Sequence, residues 1–388
     1  MTTTTTLPSV GAKGVNPLKA LLTYGQSPWM DYIRRDLLTS GGLKKMIDED
    51  GLRGMTSNPT IFEKAITGSK DYADILESPE AKQLDAKAVY EKIAIRDVQD
   101  AADIFKPVYQ ETKRADGYVS LEVAPTLAND TKATIDEARR LWKSVGRENV
   151  MIKVPGTAEG LPAIRTLLEE GININITLLF AQWVYEDVAD AFLEALDARV
   201  KKGQDISHVA SVASFFVSRI DTLIDGIIDN KVKTVTDQNQ RALLTSLQGK
   251  VAIANAKVTY RKYQEIYSSP RWKALASKGA QTQRLLWAST STKNPKYRDV
   301  MYVEELIGPE TVDTIPPATF DAFRDHGRVR PSLTENVDEA ARTMLALEKA
   351  GISMKEVTDK LVVDGVKLFA DAFKQLLEAT GKTAGVRA

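Results

Sequence analysis

A chain of 388 residues, 43% hydrophobic and 27% charged, is long enough for one large α/β barrel or two ordinary domains, and apolar enough for a substantial core. Lys plus Arg and Asp plus Glu both number 52, so the formal net charge is zero, which argues against nucleic acid or an anionic membrane as a bulk electrostatic partner. With no cysteine and only two histidines, His208 and His326, the chain cannot build disulfides, thiolate sites or a multi-histidine metal centre, and its chemistry must rest on Lys, Asp, Glu, Asn, Ser, Thr and Arg.

The opening MTTTTTLPSVGAKG has no apolar core before a cleavage site and reads as a disordered, low-complexity tail over residues 1–16 rather than a secretory signal. No later stretch is apolar enough to span a bilayer, and the cytoplasm is the default expectation. Short strand-like runs then alternate with longer helical ones. Strands are predicted near 27–33, 52–58, 118–124, 149–155, 172–178, 208–216, 284–291 and 311–316, with amphipathic helices over 86–114, 133–145, 180–202 and 237–267. Eight strands is the number that closes a (β/α)8 TIM barrel. The stretch 334–380 has helical periodicity and no strand signal, so it is expected as extra C-terminal helices. Lacking an internal repeat or a Pro/Gly/Ser-rich linker, residues 17–388 read as one elaborated barrel domain.

The fourth strand carries the most informative residue. In Val150-Met151-Ile152-Lys153-Val154-Pro155, a period of two puts Val150, Ile152 and Val154 on one face, and Met151 and Lys153 on the other. Sheltering an ammonium from water is costly and favours the neutral amine, the form that attacks a carbonyl to make a Schiff base. An edge-strand lysine reaching out to solvent satisfies the same pattern. The neighbouring strands favour the sheltered reading. In 172–177 the three isoleucines share one face, and Asn173, Asn175 and Thr177 the other; in 118–124 Val119, Leu121 and Val123 alternate with Ser120, Glu122 and Ala124. If the aliphatic faces pack on helices, the polar faces point at the barrel axis, where such folds keep their chemistry near the C-terminal strand ends.

The same parity brings in Asp31 from the first strand, Asn58 after the second, Glu122 from the third, Lys153 from the fourth, and Asn175 with Thr177 from the fifth. Ser214 and Phe216 follow from the sixth, then Arg219, with Ser289 from the seventh. These are parts that Schiff-base chemistry needs: an amine, acids to move protons, and neutral hydrogen-bonding groups for hydroxyls and a relay water. His208, at a strand start, and His326, in a charged loop, are expected to be structural. No nucleotide fingerprint, P-loop or metal cluster is present in the sequence, so no cofactor and no metal is expected.

The runs Gly54-Met55-Thr56-Ser57-Asn58-Pro59-Thr60-Ile61-Phe62, 150–155, 171–180, 214–221 and Trp287-Ala288-Ser289, in that order, resemble the transaldolase family. The likeness runs from about Asp31 to at least Pro316, and the lengthened C-terminus with the Lys293-Asn294-Pro295 loop resembles the longer bacterial branch. It implies a class I aldolase-type barrel that moves a dihydroxyacetone unit between sugar phosphates in the non-oxidative pentose phosphate pathway. Lys153 would form the Schiff base, Asp31 would act as acid/base at the C4 hydroxyl, and Glu122 and Thr177 would handle the carbinolamine water. Asn58, Asn175 and Ser214 would hold the three-carbon unit; Arg219 and Ser289 would bind phosphate. Phe216 stands where related fructose-6-phosphate aldolases carry Tyr, which favours transfer to an acceptor over release of free dihydroxyacetone. The partners implied are small-molecule sugar phosphates, with neither nucleic acid nor membrane, for a monomer or homodimer.

One position departs from the family pattern. Many transaldolases place a second phosphate arginine two residues after the serine matched by Ser289; here Ser291 stands there, and Lys293 follows two further on. Lys293 either replaces that arginine as a point charge or is a solvent-exposed loop lysine. Two other classes fit the residues less fully: a lysine aldolase or lyase that releases its three-carbon product, and a non-catalytic phosphosugar-binding barrel.

Overall fold

The computed structural model describes residues 16–387. Eight parallel strands close on themselves in sequence order: β1 (Gln26–Asp31), β2 (Gly54–Thr56), β3 (Tyr118–Glu122), β4 (Val150–Pro155), β5 (Ile174–Leu179), β6 (Ser211–Phe216), β7 (Arg284–Ala288) and β8 (Thr311–Ile315). The barrel is closed by β1 pairing with β8, Gln26 opposite Thr311 and Met30 opposite Ile315. This is the (β/α)8 architecture expected from the strand count.

Strand parity is as the sequence implies. Ile174 and Ile176 are fully buried on one face of β5, and the opposite face carries Asn175 and Thr177. Below the polar layer the barrel interior is filled by large side chains, chiefly Trp29, whose ring stacks obliquely on Tyr118 at 6.4 Å. Room for that indole comes from Gly54 on the neighbouring strand: a Cβ there would lie 2.4 Å from the ring. At the N-terminal end, Asp116 accepts from Ser27 and Trp29 and pairs with Arg284, so the barrel floor is sealed by a buried ionic cluster.

Of the expected tail, residues 1–15 lie outside the described residues. Asn16 does not belong to it: its side chain caps the helix Pro17–Leu21 and also donates to Asp50. The expected helix over 237–267 is two helices, Gln238–Leu247 and Val251–Ser268, broken where Gly249 takes φ +66°. The C-terminal stretch forms the helices Val337–Lys349 and Met354–Ala384, separated at Gly351 with φ +70°. The longer one packs on the helices Pro59–Gly68 and Ala86–Glu111 and reaches the mouth of the barrel. Among the described residues no helix is long and apolar enough to cross a membrane.

Candidate active site

Register determines which side chains meet. Glu122 is paired with Lys153 across β3 and β4, and Lys153 with Asn175 across β4 and β5, so three polar groups lie side by side in one layer. Lys153 is only 6% exposed. Its Nζ donates to the carbonyl of Ser57 at 3.0 Å and lies 3.8 Å from Glu122 Oε2, too far for a direct hydrogen bond. Burial pushes the Glu122 carboxyl above its ordinary range, opposed by Lys153 and reinforced by Asp31. Both Glu122 Oε2 and Thr177 Oγ1 are buried without a hydrogen-bond partner.

Asp31 ends β1. Its Oδ1 accepts from the Thr56 hydroxyl at 2.7 Å, and Thr56 in turn shares a 2.7 Å hydrogen bond with Thr314. Desolvation raises the Asp31 pKa, while the Lys153 charge and the Thr56 hydrogen bond pull it down. Asp31, Thr56, Lys153, Thr177, Ser214 and Phe216 all open onto one cavity of about 640 Å³ at the C-terminal strand ends, the face on which barrels of this kind do their chemistry.

Asn58 also lines this cavity, and local folding explains how it is held. It is the N-cap of the helix Pro59–Gly68, with Pro59 pre-set for the first turn and Asn58 Oδ1 accepting from the Ile61 amide at 3.0 Å. Its amide nitrogen donates to no group among the described residues and is free for a ligand. Asn175 is placed differently from the expectation that it holds a substrate hydroxyl. It is fully buried below the cavity wall, donates to Ser120 Oγ and accepts from Ser214 Oγ at 2.6 Å, so it orients Ser214. Asn173, of the same parity, sits at the floor and binds the backbone of Glu148, Val150 and Ala210.

The far wall of the cavity is basic. Arg219 stands in the first turn of the helix Ser218–Thr234, whose amides at Val217, Ser218 and Ile220 are already paired with backbone carbonyls, so the cationic character of this wall comes from side chains. Ser289, in the left-handed region at φ +58°, touches the Ser218 hydroxyl at 2.9 Å and keeps the ends of β6 and β7 together. Lys293 lines the same cavity and donates to Ser291 Oγ at 2.7 Å. Burial and the nearby Arg219 charge both lower the Lys293 pKa. Two cations held together in a cavity are an arrangement that a phosphate relieves.

The histidines stand apart: His208 pairs with Asp205 before β6, and His326 bridges Asp299 and Asp325. Residues that sequence reasoning did not single out are Thr56 and Thr314, which tie Asp31 down, Ser57, whose carbonyl holds Lys153, and Leu368 and Phe369 of the C-terminal helix, which complete the cavity rim. Strand parity could have given Thr56 and Thr314. Nothing local could have given the helix residues, which arrive from nearly 200 positions beyond β5.

A barrel with a buried lysine between two carboxylic acids, facing a cavity whose other wall is cationic, has the layout of a lysine-dependent aldolase. The chain belongs to the Transaldolase/Fructose-6-phosphate aldolase family, which it matches over residues 28–380. Similar proteins include one named Transaldolase from Trichodesmium erythraeum (strain IMS101), 51% identical over 366 residues, covering 94% of this chain and 96% of that one. One named Transaldolase 2 from Nostoc sp. (strain PCC 7120 / SAG 25.82 / UTEX 2576) is 48% identical, with 94% and 97% covered. One named Transaldolase from Thiobacillus denitrificans (strain ATCC 25259 / T1) is 44% identical, with 95% and 100% covered.

Proposed function

We propose that this chain is a transaldolase that moves a dihydroxyacetone unit from sedoheptulose 7-phosphate or fructose 6-phosphate to glyceraldehyde 3-phosphate or erythrose 4-phosphate, through a Schiff base on Lys153. The observation that carries it is the Lys153 amine, buried at the base of the cavity and flanked by Glu122 and Asp31, with a cationic wall opposite.

Lys153 Nζ attacks the ketose C2 carbonyl to give a carbinolamine. Glu122, whose pKa is raised by burial, supplies the proton with which the hydroxyl leaves as water. That proton passes through a water held by Glu122 Oε2 and Thr177 Oγ1, both buried and without a hydrogen-bond partner among the described residues. With the iminium formed, Asp31 takes the C4 hydroxyl proton, the C3–C4 bond breaks, and its electron pair enters the iminium to give an enamine. The aldose phosphate departs with its new carbonyl. An acceptor aldehyde then enters, the steps reverse, and hydrolysis frees Lys153.

Asn58 and Ser214 contact the hydroxyls of the three-carbon unit, Ser214 being oriented by Asn175. Arg219, Ser289 and Lys293 hold the phosphate, Lys293 as a point charge in place of an arginine. Phe216 gives the water no hydroxyl to lean on, which keeps the intermediate waiting for an acceptor. The chemistry uses protein groups throughout and calls for no cofactor. Phosphorylated sugars are charged metabolites that stay inside cells, which supports a cytoplasmic site of action. The assembly this reading carries is a monomer or a homodimer of a single barrel domain, residues 17–388.

Borohydride reduction in the presence of fructose 6-phosphate, followed by mass mapping, should place a dihydroxyacetone-derived adduct on Lys153. Turnover should require an acceptor aldehyde. An adduct elsewhere, or steady release of free dihydroxyacetone without acceptor, contradicts the reading. The second outcome would favour the aldolase alternative.

A further inference from the structure

Arg219 is held in an unusual way for a phosphate-binding arginine. Among the described residues it has no ion-pair partner, and burial lowers its pKa. Its guanidinium carbon instead lies 5.4 Å from the ring centroid of Phe216 on β6 and 5.7 Å from that of Phe369 on the C-terminal helix. Both rings are nearly buried, Phe369 at 9% exposure, and Phe216 is backed by Phe180 at 5.3 Å. One turn earlier on the same face of the helix stands Gly365. A Cβ there would lie 2.9 Å from Leu178 and 3.8 Å from the Arg219 guanidinium, so the glycine lets the helix come down onto β5 and brings Phe369 to Arg219.

We propose that Phe369 is a positioning residue for Arg219: together with Phe216 it holds the guanidinium by its faces, leaving the in-plane N–H donors free for the substrate phosphate. A carboxylate partner would fix the arginine equally well, but it would occupy those donors and oppose a dianion. Aromatic faces attract the cation without competing for its hydrogen bonds. The C-terminal helix, which lies outside the barrel repeat, thereby becomes part of the phosphate site. The inference rests on the reading of Arg219 as the phosphate ligand given above.

The test compares Phe369→Ala, Phe369→Leu and Phe369→Tyr with the parent, all as full-length chains. With fructose 6-phosphate as donor, Phe369→Ala should raise KM roughly tenfold, the scale of one partly desolvated cation–π contact, with little change in kcat. Inorganic phosphate should weaken as a competitive inhibitor to a similar degree. Borohydride trapping with dihydroxyacetone, which carries no phosphate, should proceed at the parental rate. Phe369→Tyr should behave as the parent, and Phe369→Leu, which keeps bulk but loses the π face, should resemble Phe369→Ala. A KM within twofold of the parent for Phe369→Ala, or full recovery by Phe369→Leu, overturns the proposal. So does an equal loss of trapping with dihydroxyacetone, which would mean the ring only supports the fold. Failure of the parent itself to trap fructose 6-phosphate would instead strike at the reaction assigned above.

Discussion

Lys153 Nζ and Glu122 Oε2 are opposite one another on adjacent strands and 3.8 Å apart, with neither completing a hydrogen bond to the other. The two groups are close enough to feel each other's charge and too far apart for a direct hydrogen bond. Glu122 keeps its proton more readily than an exposed glutamate because it is buried. Replacing it by Gln preserves shape and removes the transferable proton. Glu122→Gln should slow adduct formation on Lys153 by roughly 10²–10⁴-fold, the range for losing a general acid or base. The time course of borohydride trapping measures this directly, and a parental rate would place the proton source elsewhere.

Thr56 sets the working range of Asp31. Its hydroxyl donates to Asp31 Oδ1 and so favours the carboxylate, against a burial effect that favours the acid. Removing the hydroxyl with Thr56→Val leaves burial less opposed and raises the Asp31 pKa further. If ionised Asp31 is the base for C–C cleavage, the acidic limb of the kcat profile should move to higher pH in this variant. Asp31→Asn should lose cleavage by roughly 10²–10⁴-fold while still trapping dihydroxyacetone. A Thr56→Val profile superimposable on the parent would separate Asp31 from the rate-controlling ionisation.

Much of this arrangement could be read from residue order because its parts lie on strands. Period-two alternation in 172–177 and 150–155 puts Asn175, Thr177 and Lys153 on one face, and barrel closure then makes that face the interior. What alternation cannot give is how deep a residue sits. Asn173, Asn175 and Thr177 share parity, yet one seals the floor, one orients Ser214 and one opens to the cavity. Nor does it reveal that Asn58 is half committed as a helix cap. Phe369 was out of reach for another reason: its helix reads as ordinary amphipathic sequence, and its role depends on tertiary docking through Gly365.

Asp313 on β8 is a buried acid that does not line the cavity. Thr290 donates to its Oδ1 at 2.9 Å, while Oδ2 has no partner, and burial pushes its pKa up to about 8. The unfolded chain releases this proton near the ordinary value of 3.8. Between those values the folded state binds more protons than the unfolded one, so the contribution of Asp313 to stability falls as pH rises, and levels off above about pH 8. Asp313→Asn can still accept from Thr290 through its carbonyl oxygen and carries no charge to desolvate. The variant should flatten that part of the pH–stability curve and raise Tm at pH 8 relative to pH 5, compared with the parent. Equal pH dependence of Tm in parent and variant would show that Asp313 titrates as an ordinary carboxyl.

Lys293 tests whether the cationic wall is a binding site or a coincidence of loop geometry. It lies near Arg219, and both burial and that like charge lower its pKa, so in the free enzyme the two cations oppose each other. A phosphate dianion between them reverses the sign of the interaction and holds the proton on Lys293 more firmly, coupling binding to protonation. Lys293→Ala should therefore raise KM for fructose 6-phosphate by roughly 5- to 30-fold, as for loss of one partly buried charge-assisted contact. It should leave dihydroxyacetone trapping unchanged. In the parent, KM should climb on the alkaline side as Lys293 loses its proton, and Lys293→Ala should lose that climb; Lys293→Arg, which stays charged, should lose it without the penalty at neutral pH. A Lys293→Ala variant with parental KM and parental pH dependence would return this residue to the solvent-facing loop and leave Arg219 and Ser289 to bind the phosphate.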